Sequence, residues 1–216
     1  HLQNLTGESQ LKNRIDYQVE IHRLKGKIYG NQKLYALARN EFDKQLLLST
    51  QIEDEREREL SKLWSYQNIE HLYALQKMPD SVKIYQTLQE KQLKKFREEE
   101  ATYNISILYT NRAKYYLNKG QIEEAKRNLI KSNDLLEKYN IPYKYSNLEL
   151  WGDLEAYKEN ADKALSYYNK ALSNSKQLGI ATASRNIHKK IMDYLLENNL
   201  NIDTAKYHHN EYTLLN

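Results

Sequence analysis

Apolar residues recur along the chain at or near the three-, four- and seven-residue intervals of one helix face. Leu24, Ile28 and Tyr35, then Leu37, Phe42 and Leu46, then Ile105, Leu108, Tyr109 and Tyr116, and later Leu165, Tyr168 and Leu172 follow it. The pattern breaks only briefly, near 31–34, 52–54, 78–80 ("MPD"), 98–101, 118–121 ("NKGQ"), 139–142 ("YNIP"), 158–161, 178–180 ("LGI") and 198–202. Such spacing predicts about ten helices of roughly 15 to 25 residues, joined by the tight connections of antiparallel hairpins. Glu123, Glu124 and Asp162 follow breaks, where carboxylates suit helix N-termini. The mixed run "EDEREREL" (53–60) reads as an exposed, salt-bridged helix surface.

A longer period overlies the helical one. A small residue, an aromatic three on, Ala twelve on and an aromatic or Leu sixteen on occur as Gly26, Tyr29, Ala38, Phe42 and as Ala113, Tyr116, Ala125, Leu129. The run "LWGDLEAYKENADKALSYYNKAL" supplies Gly152, Ala164, Tyr168 and then Ala171; Leu196, Ala205, Tyr212 form a weaker copy, and Ile69, Leu72, Ser81, Tyr85 a degenerate one. Five copies, at about 8–51, 53–97, 99–139, 142–178 and 180–216, cover essentially the whole chain as one extended domain. Gly inside a helix costs about 1 kcal/mol against Ala. Gly152 is therefore expected where two helices must approach closely.

These residues resemble the tetratricopeptide repeat, with an aromatic, Leu-Gly and Tyr on its first helix and Ala and Phe on its second. The sequence departs from that pattern at Lys25, at the exchanged Leu148 and Trp151, and at Glu155, which replaces a Tyr with Tyr157 nearby. Repeats of about 40 residues exceed the usual 34 and imply longer helices. The resemblance implies an all-α, right-handed α–α superhelix of about ten helices in five hairpins. It also implies a concave groove lined by the first helix of each hairpin.

Carried onto this chain, the groove positions are Arg23, Lys27 and Asn31; Thr110, Lys114 and Asn118; and Glu149, Asp153 and Tyr157. The weaker copies add Tyr66, Glu70, Tyr73, Lys190, Tyr194 and Asn198. Amides, Lys, carboxylates and Tyr can together hydrogen-bond an extended peptide and hold its side chains. Asn31, Asn118 and Asn198 have an alternative role, since Asn near a helix end favours the turn itself. Long, divergent repeats of this kind look like the sensory parts of bacterial signalling proteins and transcription regulators. The resulting expectation is a non-catalytic protein- or peptide-binding module within a longer chain, with any effector domain elsewhere. A response-regulator phosphatase, another helical-repeat enzyme and a free-standing adaptor remain the alternatives.

Composition narrows this reading. Among 216 residues there are two Pro, six Gly and no Cys, too few backbone breakers for a strand-rich fold and no thiol for catalysis. Nineteen Tyr against two Phe favour thin, layered cores, because phenol hydroxyls need water or a partner. Charge is balanced in both halves, with 17 basic and 16 acidic residues in 1–100 and 16 and 13 in 101–216. No basic face concentrates, which argues against direct nucleic-acid binding.

No run approaches a membrane span. The chain begins at His1, leaving room for a targeting or membrane segment upstream. A cytoplasmic setting is favoured over a periplasmic one. His1, His22, His71, His188, His208 and His209 form no HExxH motif, and adjacent His208 and His209 diverge by about 100° on a helix. They read as surface or packing residues, and no metal or cofactor is expected. No phosphate loop or nucleophile elbow is present.

Overall fold

The computed structural model describes residues 14–215. They form ten helices and no strand: α1 Ile15–Asn31, α2 Tyr35–Ser49, α3 Glu55–Leu75, α4 Pro79–Leu93, α5 Glu98–Asn118, α6 Ile122–Lys138, α7 Tyr145–Tyr157, α8 Ala161–Gln177, α9 Ala181–Glu197 and α10 Ile202–Leu214. The chain divides into two compact units, residues 1–97 and 98–216. In the first, α1 pairs with α2 and α3 with α4, while α2 also packs on α3. In the second, the pairs are α5–α6, α7–α8 and α9–α10, with α7 contacting both helices of the preceding pair and α8 contacting α9. This is an all-α, TPR-like repeat of helical hairpins.

Every hairpin turn contains one left-handed residue: Lys33 (φ 61°), Lys77 (56°), Gly120 (69°), Glu159 (62°) and Asn199 (51°). The following residue donates its N–H back across the turn, as from Leu34 to Tyr29 O at 2.9 Å and from Leu200 to Leu195 O at 2.8 Å. This satisfies carbonyls that the helix end leaves free. The fourth break differs from expectation. It lies at 94–97, and Glu98, Glu99 and Glu100 form the first turn of α5, where their charges oppose the helix dipole.

Close approach organises both units. A Cβ on Gly26 would lie 2.4 Å from the Phe42 ring, and one on Gly152 would lie 2.4 Å from the Tyr168 ring. Ala38, Phe42, Ile69 and Leu72 form one core, while Ala164, Tyr168, Ala171, Leu172, Ile187, Ile191, Leu195 and Ala205 form another. The buried face of α1 is Val19, Gly26 and Gly30. Leu24 and Ile28, which carried the helical signal, lie about half exposed on the opposite side. Large side chains there would hold α2 away.

Much of the remaining interior is polar. Gln86 and Gln89 of α4 donate to the buried Glu70 carboxylate at 3.0 and 2.9 Å. Gln92 donates to Glu59 at 2.6 Å, joined by Lys62 at 3.0 Å and by Lys95. Burial would raise the Glu59 carboxyl, but these donors outweigh it and pull it down to about 2. The "EDEREREL" run is thus only partly a solvated face: Asp54 caps α3 by accepting from Glu57 N at 2.8 Å, and Glu59 points inward. In the second unit, Ser175 and Ser184 share a hydrogen bond, as do Thr110 and Ser132.

The last hairpin closes on two buried imidazoles. His188 Nδ1 and His208 Nδ1 lie 2.8 Å apart, so one must donate while the other accepts. Burial lowers both, and for His208 the neighbouring His188 and Lys176 of α8 add to the effect, taking it to about 4. Glu211 of α10, 3.8 Å from His188 Nε2, opposes the shift incompletely.

Two stability predictions follow from this packing. Gly152→Ala should destabilise by about 1–3 kcal/mol through overpacking. Gly30→Ala, whose Cβ would meet Leu72 at an ordinary 3.8 Å, should stabilise by about 0.5–1 kcal/mol through helix propensity, both read by urea unfolding. The histidine shifts also fix the sign of a pH dependence. Because the folded pKa values are depressed, the unfolded chain binds more protons below pH 6.5; stability is complete above that pH and falls towards pH 4. His208→Asn, which retains a hydrogen-bonding side chain without titrating, should flatten the melting-temperature profile across this window.

Candidate functional site

The first helices of the hairpins carry fourteen of the fifteen residues expected at the groove, Asn198 being the residue that caps the end of α9, and the structure sorts them into distinct environments. In the first unit, Arg23 is half-buried and donates its Nε–H to Glu20 at 2.6 Å, whereas Lys27 and Asn31 are exposed on α1. Glu70 lies inside, held by the α4 amides. Tyr66 and Tyr73 flank Tyr85, with ring centroids 6.2 and 5.7 Å away.

Arg39 of α2 completes this aromatic group. Its guanidinium sits 5.4 Å from the Tyr73 ring centroid and 5.5 Å from that of Tyr85, and Asp43 accepts from its Nε. Stacking a guanidinium on ring faces is favourable and fixes its orientation. The sequence reading missed Arg39 because it lies on a second helix. Its spacing of four from Asp43 was the available signal.

In the second unit, α7 and α9 bring four of the expected residues together. Lys190 Nζ lies 2.5 Å from Glu149 Oε1 and donates to Asp153 Oδ2 at 2.8 Å; the Tyr168 hydroxyl donates to Asp153 Oδ1 at 2.8 Å. Tyr194 packs edge-on against the Tyr168 ring, with centroids 5.7 Å apart. Burial alone would lower the Lys190 ammonium, but Glu149 and Asp153 overcome it and hold the group above its ordinary value. The cluster remains partly open, with side-chain exposures of 30%, 29% and 24% for Lys190, Glu149 and Asp153. One cation between two carboxylates leaves acceptor capacity facing outward.

The other expected residues surround no comparable network. Lys114 and Asn118 are exposed towards the end of α5, and Thr110 is buried against Ser132. Tyr157 is 59% exposed, and its hydroxyl lies 3.6 Å from where a Cβ would stand on Gly120. Asn198 donates to Tyr194 O at 2.8 Å and so closes the end of α9. Glu155, the departure from the repeat pattern, is buried and accepts from Asn160 at 2.9 Å and Lys158 at 3.1 Å. It holds the α7–α8 turn together.

Among the described residues, no group of three or more His, Asp or Glu is placed to hold a metal ion. No helix of these residues is long and apolar enough to cross a membrane.

The architecture defines a class of protein, the TPR-like helical repeats. The solved structure of BtubC (BKLC) from P. vanneervenii is similar at a TM-score of 0.62 and 13% identity, over 91% of this chain and 79% of that one. A signal transduction ATPase with numerous domains (STAND) from Pyrococcus horikoshii, with a tetratricopeptide repeat sensor, is similar at 0.61 and 19% identity; the match covers 94% of this chain but only 30% of that protein. A kinesin light chain from Podosopora anserina with nearly identical TPR-like repeats is similar at 0.53 and 12% identity, over 94% of both chains. No family model and no curated protein sequence matches.

Asp153 serves both Lys190 and Tyr168, so the two should not behave independently. A double-mutant cycle between Lys190→Met and Tyr168→Phe is expected to give a coupling of about 0.5–1.5 kcal/mol in urea unfolding.

Proposed function

We propose that this chain is a non-catalytic binding module for a protein segment or peptide, and that it forms the sensory or scaffold part of a larger signalling or transcription regulator. The observation that carries the reading is the convergence of Glu149, Asp153, Lys190 and Tyr194 from the first helices of successive hairpins. Lys190 is preorganised by its two carboxylates, and Tyr194 is set by Tyr168. An extended peptide lying across α7 and α9 would find carbonyl-binding and N–H-binding groups already fixed, which limits the ordering cost of association. Lys114 and Asn118 are exposed on α5, a helix that packs against α7. Similarity to a STAND protein with a tetratricopeptide repeat sensor agrees with a sensory role.

In such a repeat each hairpin contacts mainly its neighbours, so small rotations between them can add along the array. A ligand bridging α7 and α9 would favour one rotation over another. Partner selection from a displayed peptide library, followed by calorimetry, tests the binding role. A selected peptide should bind saturably and lose at least tenfold in affinity with Lys190→Gln or Tyr194→Ala, in proteins whose circular dichroism is unchanged. Absence of any saturable binder, or affinities indifferent to both substitutions, would overturn the proposal.

A further inference from the structure

The outer face of α1 carries a second apolar row. Tyr17, Ile21, Leu24 and Ile28 recur at intervals of four, three and four residues, which places them within about 60° of one another around the helix. The row lies opposite the buried Val19, Gly26 and Gly30. Tyr17, Leu24 and Ile28 are 49%, 47% and 54% exposed, and Ile21 is half-buried at one edge.

The corresponding row is covered in later hairpins. Counted back from the left-handed turn residues Lys77 and Glu159 as Ile28, Leu24 and Ile21 are from Lys33, it reads Leu72, Asn68 and Ser65 in α3 and Leu154, Leu150 and Asn147 in α7. All but Asn68 are buried, and Asn68 is half-buried and donates to Gln45 Oε1 of α2 at 3.2 Å. Asn147 likewise donates to Leu129 O of α6 at 3.4 Å. The row is therefore a packing face of the repeat, and in α1 alone of these three helices it is apolar throughout.

The residues beside the row specify what can pack there. In heptad terms Ile21 and Ile28 occupy a, Tyr17 and Leu24 occupy d, Glu20 occupies g and Lys25 occupies e. Ile at a with Leu at d is the core that selects two parallel strands, whose e and g residues form the interhelical ion pairs. Two parallel copies of α1 would set each Glu20 against the other copy's Lys25, giving two opposite-charge pairs per dimer. An antiparallel pairing would instead gather both Lys25 side chains on one flank. Glu20 accepts from Arg23 at 2.6 Å and still has 51% of its side chain exposed. Arg14 and Asn31, at the next a and d positions, end the row in polar groups.

We infer that α1 is a homodimerisation surface, on which Tyr17, Ile21, Leu24 and Ile28 pack in parallel against the same residues of a second copy of this chain. The symmetric pair closes on itself, so assembly stops at two. So short a seam would be marginal between isolated helices. Here α1 is already ordered against α2, so association costs no helix formation.

Sedimentation velocity of the 216-residue chain tests this directly. Between about 5 and 500 µM it should pass from monomer to dimer and no further. Leu24→Glu, at an exposed position, should raise the dissociation constant about tenfold or more. Glu20→Lys should raise it about threefold or more, and adding Lys25→Glu should restore it to within about twofold, in proteins whose circular dichroism is unchanged. The absence of native Cys gives a second readout. Paired d positions bring Cβ atoms into disulfide range, so Leu24→Cys should cross-link under diamide about tenfold faster than Leu196→Cys. Leu196 is similarly exposed, at 51%, on α9.

Monomer at every concentration, growth beyond the dimer, indifference to Leu24→Glu, or no rescue by the double charge reversal would overturn the surface. So would cross-linking of Leu24→Cys only when mixed with Ile21→Cys, which marks an antiparallel pair. The surface is independent of the peptide-binding reading, and Lys190→Gln should dimerise as the unaltered chain does.

Discussion

The constraint on which the structure depends is the distance between the two helices of a hairpin. Where Gly26 meets Phe42 and Gly152 meets Tyr168, a ring occupies the space in which any Cβ would sit. The ring replaces the missing side chain as core, so dense contact offsets the backbone entropy lost at glycine. At Tyr168 the same contact also aims a hydroxyl at Asp153, which holds Lys190. Packing and candidate site are therefore one assembly in the second unit. A shift in the α7–α8 spacing would reach the polar cluster directly.

The interior is not a conventional oily core. Thin layers between narrow helical stripes leave room for buried carboxylates with glutamine donors in the first unit, and for Ser, Thr and His pairs in the second. Each group must be matched, because unmade hydrogen bonds cost more than made ones contribute. Such matching favours one register between neighbouring helices.

How much of this was legible beforehand varied with the kind of signal. Gly26, Gly152, Ala38 and Ala164 were legible because a repeat places the same steric demand at the same offset. The triple glutamate at 98–100 was misread as a break, although its charge suits a helix start. Leu24 and Ile28 followed helical spacing faithfully, yet that spacing marks an exposed stripe, while the buried face is written in glycines that hydrophobicity does not register. Arg39 offered only its spacing of four from Asp43.

The sequence by itself determined the helical class, the hairpin repeat and the helix on which each expected groove residue stands. These depend on local periodicity and on steric demands at fixed intervals. Only the tertiary structure decided that Glu149, Asp153 and Lys190 share charge, that Glu70 and Glu155 are committed to holding helices and turns, and that His188 meets His208. Those pairings join residues on different helices. Their formation depends on rotations and separations of a few ångströms, set by how neighbouring side chains interlock, which no single helix's sequence specifies.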